Sequence, residues 1–261
     1  METEADGALQ LNRDTNVAIL TLNRPSQRNA VNSAMWRALP GLLSRLADNR
    51  AVRVLIVRGA GGNFASGADI SEFPTLLRDR ASALAYGALL SNATDALAGW
   101  PGPVIAEIEG YCIGAGLAIA LACDLRIAAS DARLGAPPAK LGLIYSLGDT
   151  RRLMDAVGPS TAKAMLFTAA LHVAPEALRL GLVDEVHPAP ALAAAVRAKA
   201  MTMASLSSGS IRHAKALLAI LSTGAREETE ETRGWFADAA TGDDFAEGLA
   251  AYTARRAPAF R

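Results

Sequence analysis

The sequence predicts an α/β fold followed by a helical C-terminal region, and three observations carry that expectation. Apolar runs of strand length recur at Val17–Leu22, Val52–Val57 and Pro103–Ile108. Segments with helical spacing lie between them, which is the grammar of an α/β core. From about Pro159 onward only helical patterns remain.

The elements follow in order. Ala8–Asn12 and Val17–Leu22 read as a hairpin around an Asp14-Thr-Asn16 turn. Ser33–Ala47 has helical spacing, with apolar Met35, Trp36, Leu39, Leu42, Leu43 and Leu46 and with Asn32 as its N-cap. Pro40 inside that pattern is expected to kink or break it. The strand Val52–Val57 leads into a glycine turn, Gly59-Ala-Gly-Gly-Asn-Phe-Ala-Ser-Gly-Ala-Asp-Ile70. Arg78–Trp100 is a long amphipathic helix stopped by Pro101-Gly-Pro103. The strand Pro103–Ile108 leads into a second glycine turn, Glu109-Gly-Tyr-Cys-Ile-Gly-Ala-Gly-Leu117, and a short apolar helix over Leu117–Ala122. Leu125–Ala129 reads as a further strand. Helices are then expected at Ser160–Phe167, Pro175–Leu180, Leu192–Ala204, Gly209–Leu221, Glu227–Ala240 and Asp243–Arg255. This divides the chain into an α/β core over residues 1–200 and a helical region over 201–261.

Composition excludes some function classes. A chain of 261 residues suits one domain with a sizeable core. Lys+Arg and Asp+Glu balance at 26 each, so nothing favours nucleic acid or an anionic membrane as partner. Cys112 and Cys123 lie in apolar contexts and read as buried thiols rather than a disulfide. The acidic start, Met1–Asp6, is wrong for a signal or transit peptide, and no apolar run reaches transmembrane length. The expectation is a soluble, cytoplasmic protein. His172, His187 and His213 all follow both glycine turns, so no metal or triad constellation is visible. Ser66 lacks the Gly-x-Ser-x-Gly context of a hydrolase nucleophile, and Gly114-Ala-Gly116 lacks the third glycine of a dinucleotide site.

The chain is thus poor in catalytic side chains but has two glycine-bearing strand-to-helix turns. Such turns can present backbone N–H groups to one point. Two N–H donors aimed at one oxygen form an oxyanion hole, suited to a carbonyl that becomes an enolate.

The wording of these segments resembles the crotonase superfamily, the enoyl-CoA hydratases and isomerases. The resemblance rests on Asn23-Arg-Pro-Ser-Gln-Arg-Asn-Ala-Val-Asn32, Phe64-Ala-Ser-Gly-Ala-Asp-Ile70, Gly110-Tyr-Cys-Ile-Gly-Ala-Gly116, Ala122-Cys-Asp-Leu-Arg-Ile127, Ala177-Leu-Arg-Leu-Gly-Leu-Val183 and Glu247-Gly-Leu-Ala-Ala-Tyr252, in the family's order. It implies a spiral of ββα turns and a helical C-terminal region that assembles trimers or hexamers. It also implies an acyl-CoA substrate, with no cofactor beyond the coenzyme A of the substrate itself. The oxyanion donors it implies are the N–H groups of Ala68 and Ala115. Ala115 stands where the family has glycine, and its methyl disfavours a left-handed φ. Substrate-binding positions carried over are Arg28, Ala30, Ala65, Asp69, Ile70, Gly114, Ala118, Pro138 and Ser146. Asp69 is expected to cap the following helix, and Glu72–Leu90 to supply the pocket wall.

The acid–base positions depart from the family. Ala118 and Pro138 stand where its hydratases have glutamates, and Ser146 where its dienoyl-CoA isomerases and aryl-CoA dehalogenases have aspartate. A hydratase needs carboxylates to position water and protonate carbon. Tyr145, in Leu141-Gly-Leu-Ile-Tyr145, resembles the tyrosine of methylmalonyl-CoA decarboxylases, although those carry histidine where this chain has Ala68. Tyr145 reads equally as a pocket-wall aromatic with a satisfied hydroxyl. Asp149 is expected as a helix N-cap; Glu107 and Glu109 flank Ile108, with Glu109 expected to bond the second turn and a carboxylate facing the pocket as the alternative for either. The expected function is decarboxylation or isomerisation of an acyl-CoA through an enolate. The alternatives are a non-catalytic acyl-CoA binder and a hydratase with non-standard acid–base residues.

Overall fold

The structure, a computed structural model, describes residues 1–260. Strand β1 (Glu2–Glu4) pairs with β2 (Leu9–Asp14), which forms the expected hairpin with β3 (Val17–Leu22) in the register Asp14↔Val17. Helix α1 (Ser33–Ala47) starts at Asn32, whose side chain accepts from the Met35 N–H at 3.0 Å. It continues unbroken through Pro40, because its buried face, Met35 to Leu46, outweighs the local loss of one backbone bond. Strand β4 (Val54–Gly59) begins two residues later than the apolar run suggests. The first glycine turn leads through a 3-10 turn and a one-turn helix, α2 (Phe73–Leu76), to α3 (Arg80–Ala98). The long predicted helix therefore starts later, at an Asp79 cap that accepts from the Ser82 N–H at 2.8 Å.

Beyond β5 (Val104–Ile108), a short strand β6 (Tyr111–Ile113) precedes α4 (Ala115–Ala122) and β7 (Leu125–Ala129). Then come β8 (Arg133–Gly135), α5 (Leu147–Thr168), β9 (Leu171–Val173), α6 (Ala174–Arg179) and β10 (Glu185–His187). Two of these strands, β9 and β10, correct the expectation that strands end near Pro159. Each spans only three residues, too few for a period-2 signal, and each exists because a neighbouring strand offers its edge. Pro159 marks a kink inside α5, at Gly158 with φ 76°. The chain ends in α7 (Ala189–Ala204), α8 (Ser208–Ser222), α9 (Glu230–Thr241) and α10 (Asp243–Thr253).

Strands β3, β4, β5, β7 and β10 lie side by side and parallel, continuing from β1–β2 into one seven-stranded sheet. Each step along this sheet leaves through a helical excursion and returns one strand further, which is the expected spiral. Both faces are covered. Val57 and Leu55 point to a large core shared with α1, α3 and α4. Val54, Ile56, Ile105 and Ile127 point to a second core against Leu192, Val196, Ala200 and Ala204, one stripe of α7. This burial on both faces explains why the parallel strands read as continuous apolar runs. The α7 stripe ends at Ala204, so the expected division at residue 200 falls inside a helix that still covers the sheet.

Strands β6, β8 and β9 form a small second sheet. It is extended by an isolated bridge between Ala65 and Cys112, and a further bridge joins Val31 to Ala68. The Ala65–Cys112 bridge joins the two glycine turns, and the Val31–Ala68 bridge ties the first of them to the segment before α1.

Candidate active site

The convergence of the two turns is a matter of glycine geometry. Gly67 sits at φ 127° and Gly114 at φ 55°, conformations that L side chains rarely adopt. A Cβ on Gly114 would lie only 3.9 Å from the Gly67 Cα, so the turns are in contact. Gly116 is required for a different reason. A Cβ there would come within 2.4 Å of the Ala65 carbonyl oxygen, because α4 packs directly on the first turn.

The residues that follow Gly67 and Gly114 each carry a free N–H. In the Val31–Ala68 bridge the Val31 N–H donates to Gly67 and the Asp69 N–H donates to Val31, so the Ala68 N–H between them is unused. Ala115 is the first residue of α4, where the N–H has no intrahelical acceptor. Neither N–H donates to another group among the described residues. The left-handed conformation falls on Gly114 and not on Ala115, so alanine there costs nothing.

Both residues line a cavity of about 610 Å³, walled mainly by apolar side chains. Of the positions carried over by resemblance, Ala68, Ala115, Tyr145, Ile70, Gly114, Ala118, Pro138 and Ser146 line it. Four do not. Ala65 is wholly buried behind the wall, its N–H donated to Tyr111 and its carbonyl accepting from Ile113. Asp69 faces Arg24 at 2.8 Å and accepts from the Ser71 N–H and hydroxyl, capping a 3-10 turn. The hydrogen bonds from Ser71, aided by Arg24, hold its carboxyl below the usual range. Ala30 accepts from the Arg24 guanidinium at 2.6 Å. Arg28 is exposed, in left-handed conformation, with its guanidinium 5.2 Å from the Tyr111 ring centroid. The buried amide of Asn29 ties this segment to the first turn through the carbonyls of Ala60 and Asn63.

Tyr145 donates its hydroxyl hydrogen bond to the Gly114 carbonyl at 2.6 Å. It thus braces the turn that carries the Ala115 N–H. Burial, with Cys112 and Asp149 close by, pushes its phenol well up, so the proton stays on that bond.

The acid–base inventory changes in one respect. Ser146, not Asp149, is the N-cap of α5, accepting from the Asp149 N–H at 3.0 Å. Asp149 lies in the first turn of α5 and is 5 % exposed. It is the one carboxylate in the cavity wall among the described residues. The Ser146 hydroxyl donates to one carboxylate oxygen at 2.7 Å and Arg152 to the other at 3.2 Å. A sequence of Ser-x-x-Asp before an apolar run signals a cap, but not which member faces a cavity. Glu107 and Glu109 stay outside the wall. Glu107 is buried 3.9 Å from Arg58, and the Glu109 carbonyl accepts from the Phe64 N–H. The wall also includes Trp36 from α1, Thr94 from α3 and the segment 137–147, beyond the expected Glu72–Leu90. Burial drives both cysteine thiols up, Cys123 to about 12, which leaves them inert. No helix among the described residues is long and apolar enough to cross a membrane.

The family model described as enoyl-CoA hydratase/isomerase matches residues 12–261. A protein of Mycobacterium tuberculosis named "Probable enoyl-CoA hydratase" is 36% identical over 95% of both chains. The 2,3-dehydroadipyl-CoA hydratase of Escherichia coli is 32% identical over 97% of this chain and 98% of its own. The crystal structure of an enoyl-CoA hydratase/isomerase family protein from Hyphomonas neptunium superposes with a TM-score of 0.94, at 40% identity and 97% coverage of each chain. With the spiral core, the converging glycine turns and these matches in agreement, the chain belongs to the enoyl-CoA hydratase/isomerase family.

Proposed function

We propose that this protein acts on an enoyl-CoA thioester, holds the thioester carbonyl oxygen between the N–H groups of Ala68 and Ala115, and moves a proton with Asp149. The single observation that carries the reading is that one carboxylate, Asp149, lines the same cavity as both free N–H groups. A lone base suffices for a double-bond shift. It takes a proton from the α-carbon of a 3-enoyl thioester, leaving a dienolate whose oxygen the two N–H groups stabilise. It returns the same proton to the γ-carbon, giving the 2-enoyl thioester. Arg152 and Ser146 orient the carboxylate for this transfer.

Hydration is the second reading, favoured by the names of the relatives. It asks more of the site, because activating water and protonating carbon must then share Asp149. Decarboxylation, which Tyr145 suggests, is served less well. The Tyr145 hydroxyl is committed to Gly114, and among the described residues the wall offers a departing carboxylate another carboxylate and no cation.

The test is Asp149→Asn assayed on 3-hexenoyl-CoA, crotonyl-CoA and methylmalonyl-CoA. Isomerisation in the wild type should fall by about 100-fold or more in the variant. An Asp149→Asn protein that isomerises at the wild-type rate refutes the role. Wild-type turnover of crotonyl-CoA alone installs hydration instead.

A further inference from the structure

Gly87 lies inside α3 and lines the cavity. Glycine in a helix interior weakens the helix relative to alanine, so its presence there calls for a reason. The two usual reasons are absent. Gly87 does not sit at positive φ, and a Cβ built on it would meet nothing within 4 Å. Neither backbone conformation nor close packing requires glycine at this position. What remains is the empty space in front of it.

That space belongs to the cavity. Successive helical residues turn by about 100°, so Ala83, Gly87, Leu90 and Thr94 share one face of α3, and all four line the cavity. Leu84 and Tyr86, which also line it, flank this face on either side. A side chain at position 87 would therefore project from the centre of the wall into the substrate space.

The reacting end of the face is Thr94, whose hydroxyl accepts from the same Arg152 Nη1 that donates to Asp149. Gly87 lies about 10 Å from Thr94 along the helix axis. The three carbon–carbon bonds of a butanoyl chain, about 1.5 Å each, stop short of it, whereas the eleven of a dodecanoyl chain pass it. The wall also carries Ile144 and Leu147, which are 91% and 89% exposed. Apolar surface of this kind leaves water only when an apolar group lies over it. Among the described residues no lysine or arginine lines the cavity, so nothing there pairs with a charged tail.

We propose that Gly87 is a specificity-determining residue, whose missing side chain leaves the cavity open along α3 for an uncharged, medium- to long-chain acyl tail that passes Gly87 and covers the exposed apolar wall. This rests on the acyl-CoA reading above and specifies the substrate class of that site.

The experiment is isothermal titration of the full chain with butanoyl-, octanoyl- and dodecanoyl-CoA, in the wild type, Gly87→Leu and Ala85→Leu. Wild-type affinity should rise from butanoyl- to dodecanoyl-CoA by about 100-fold or more, since each methylene that leaves water contributes up to about fourfold. In Gly87→Leu that advantage should shrink by about tenfold or more, the equivalent of about two methylenes kept from the wall. Ala85→Leu, on the opposite and exposed face of α3, should keep the wild-type advantage. A second readout concerns the glycine itself. Gly87→Ala should melt at a higher temperature than the wild type, because its methyl group meets nothing and the helix gains. An advantage that survives Gly87→Leu, an equal loss in Ala85→Leu, equal wild-type binding of the three chains, or a lower melting temperature for Gly87→Ala each overturns the inference alone. Failure of every thioester to bind overturns it together with the acyl-CoA reading.

Discussion

Replacing Ala115 by proline isolates one N–H of the site. Ala115 is the first residue of α4, the position where proline is best tolerated, because its N–H is unused by the helix and its fixed φ suits the first turn. The preceding residue, Gly114, sits at φ 55° and ψ −118°, outside the α region that a following proline disfavours, and it has no Cβ to meet the ring. No internal hydrogen bond is lost, since the Ala115 N–H makes none. The fold should therefore survive, with a melting temperature within a few degrees of the wild type. What disappears is one oxyanion donor, and the ring occupies part of its place. Loss of such a donor costs about 100- to 1000-fold in turnover, or about 3–4 kcal/mol of transition-state stabilisation. The assay is steady-state kinetics on the best thioester substrate beside a thermal melt. A well-folded Ala115→Pro protein that turns over within about threefold of the wild type would refute the oxyanion role argued from the two turns.

Tyr145→Phe removes the 2.6 Å bond to Gly114, whose carbonyl keeps the Ala118 N–H as a partner, so stability should fall by only about 1 kcal/mol. Turnover should drop further than thioester affinity, because Tyr145 positions the Ala115 turn; an equal loss in both contradicts that. Glu107 is an acid whose folded pKa is raised, chiefly by burial and further by Glu109, with Arg58 opposing. The folded state then holds the proton more tightly than the unfolded one, so this group's contribution rises as pH falls toward the ordinary glutamate value of 4.5 and is lost as pH rises through the folded pKa. Glu107→Gln should melt no lower at neutral pH and show a flatter melting curve against pH above 4.5; a steeper dependence rejects the burial argument. The C-terminal helices expose Leu218, Leu221, Phe236, Phe245, Leu249 and Tyr252, an apolar surface suited to other subunits. Light scattering should give a trimer or hexamer at micromolar concentration, and a monomer would reject the assembly while leaving the fold untouched.

Much of this was legible in one dimension, for identifiable reasons. The core strands β3, β4, β5 and β7 are buried on both faces, so their apolar runs stand out without any knowledge of their neighbours. Local chemistry announced the Asn32 cap and the two glycine turns. By contrast, β6, β8, β9 and β10 are three residues each and are strands only by virtue of what they pair with. The same holds for the site. That Gly67 and Gly114 need positive φ is a property of each turn, but that they touch depends on the bridge from Ala65 to Cys112.

The sequence by itself determined the main strands and most helices, the two glycine turns, the lack of a carboxylate at Ala118 and Pro138, and the family to which these features belong. Only the tertiary structure decided which side chains share the cavity. It turned Asp149 from a cap into the one carboxylate of the wall among the described residues and drew the Tyr145 hydroxyl onto Gly114. The physical reason is range. Periodicity, capping and glycine conformation act within a few residues, whereas a shared cavity is set by helices such as α1, α3 and α5 that are distant in sequence and meet only when the sheet brings them together.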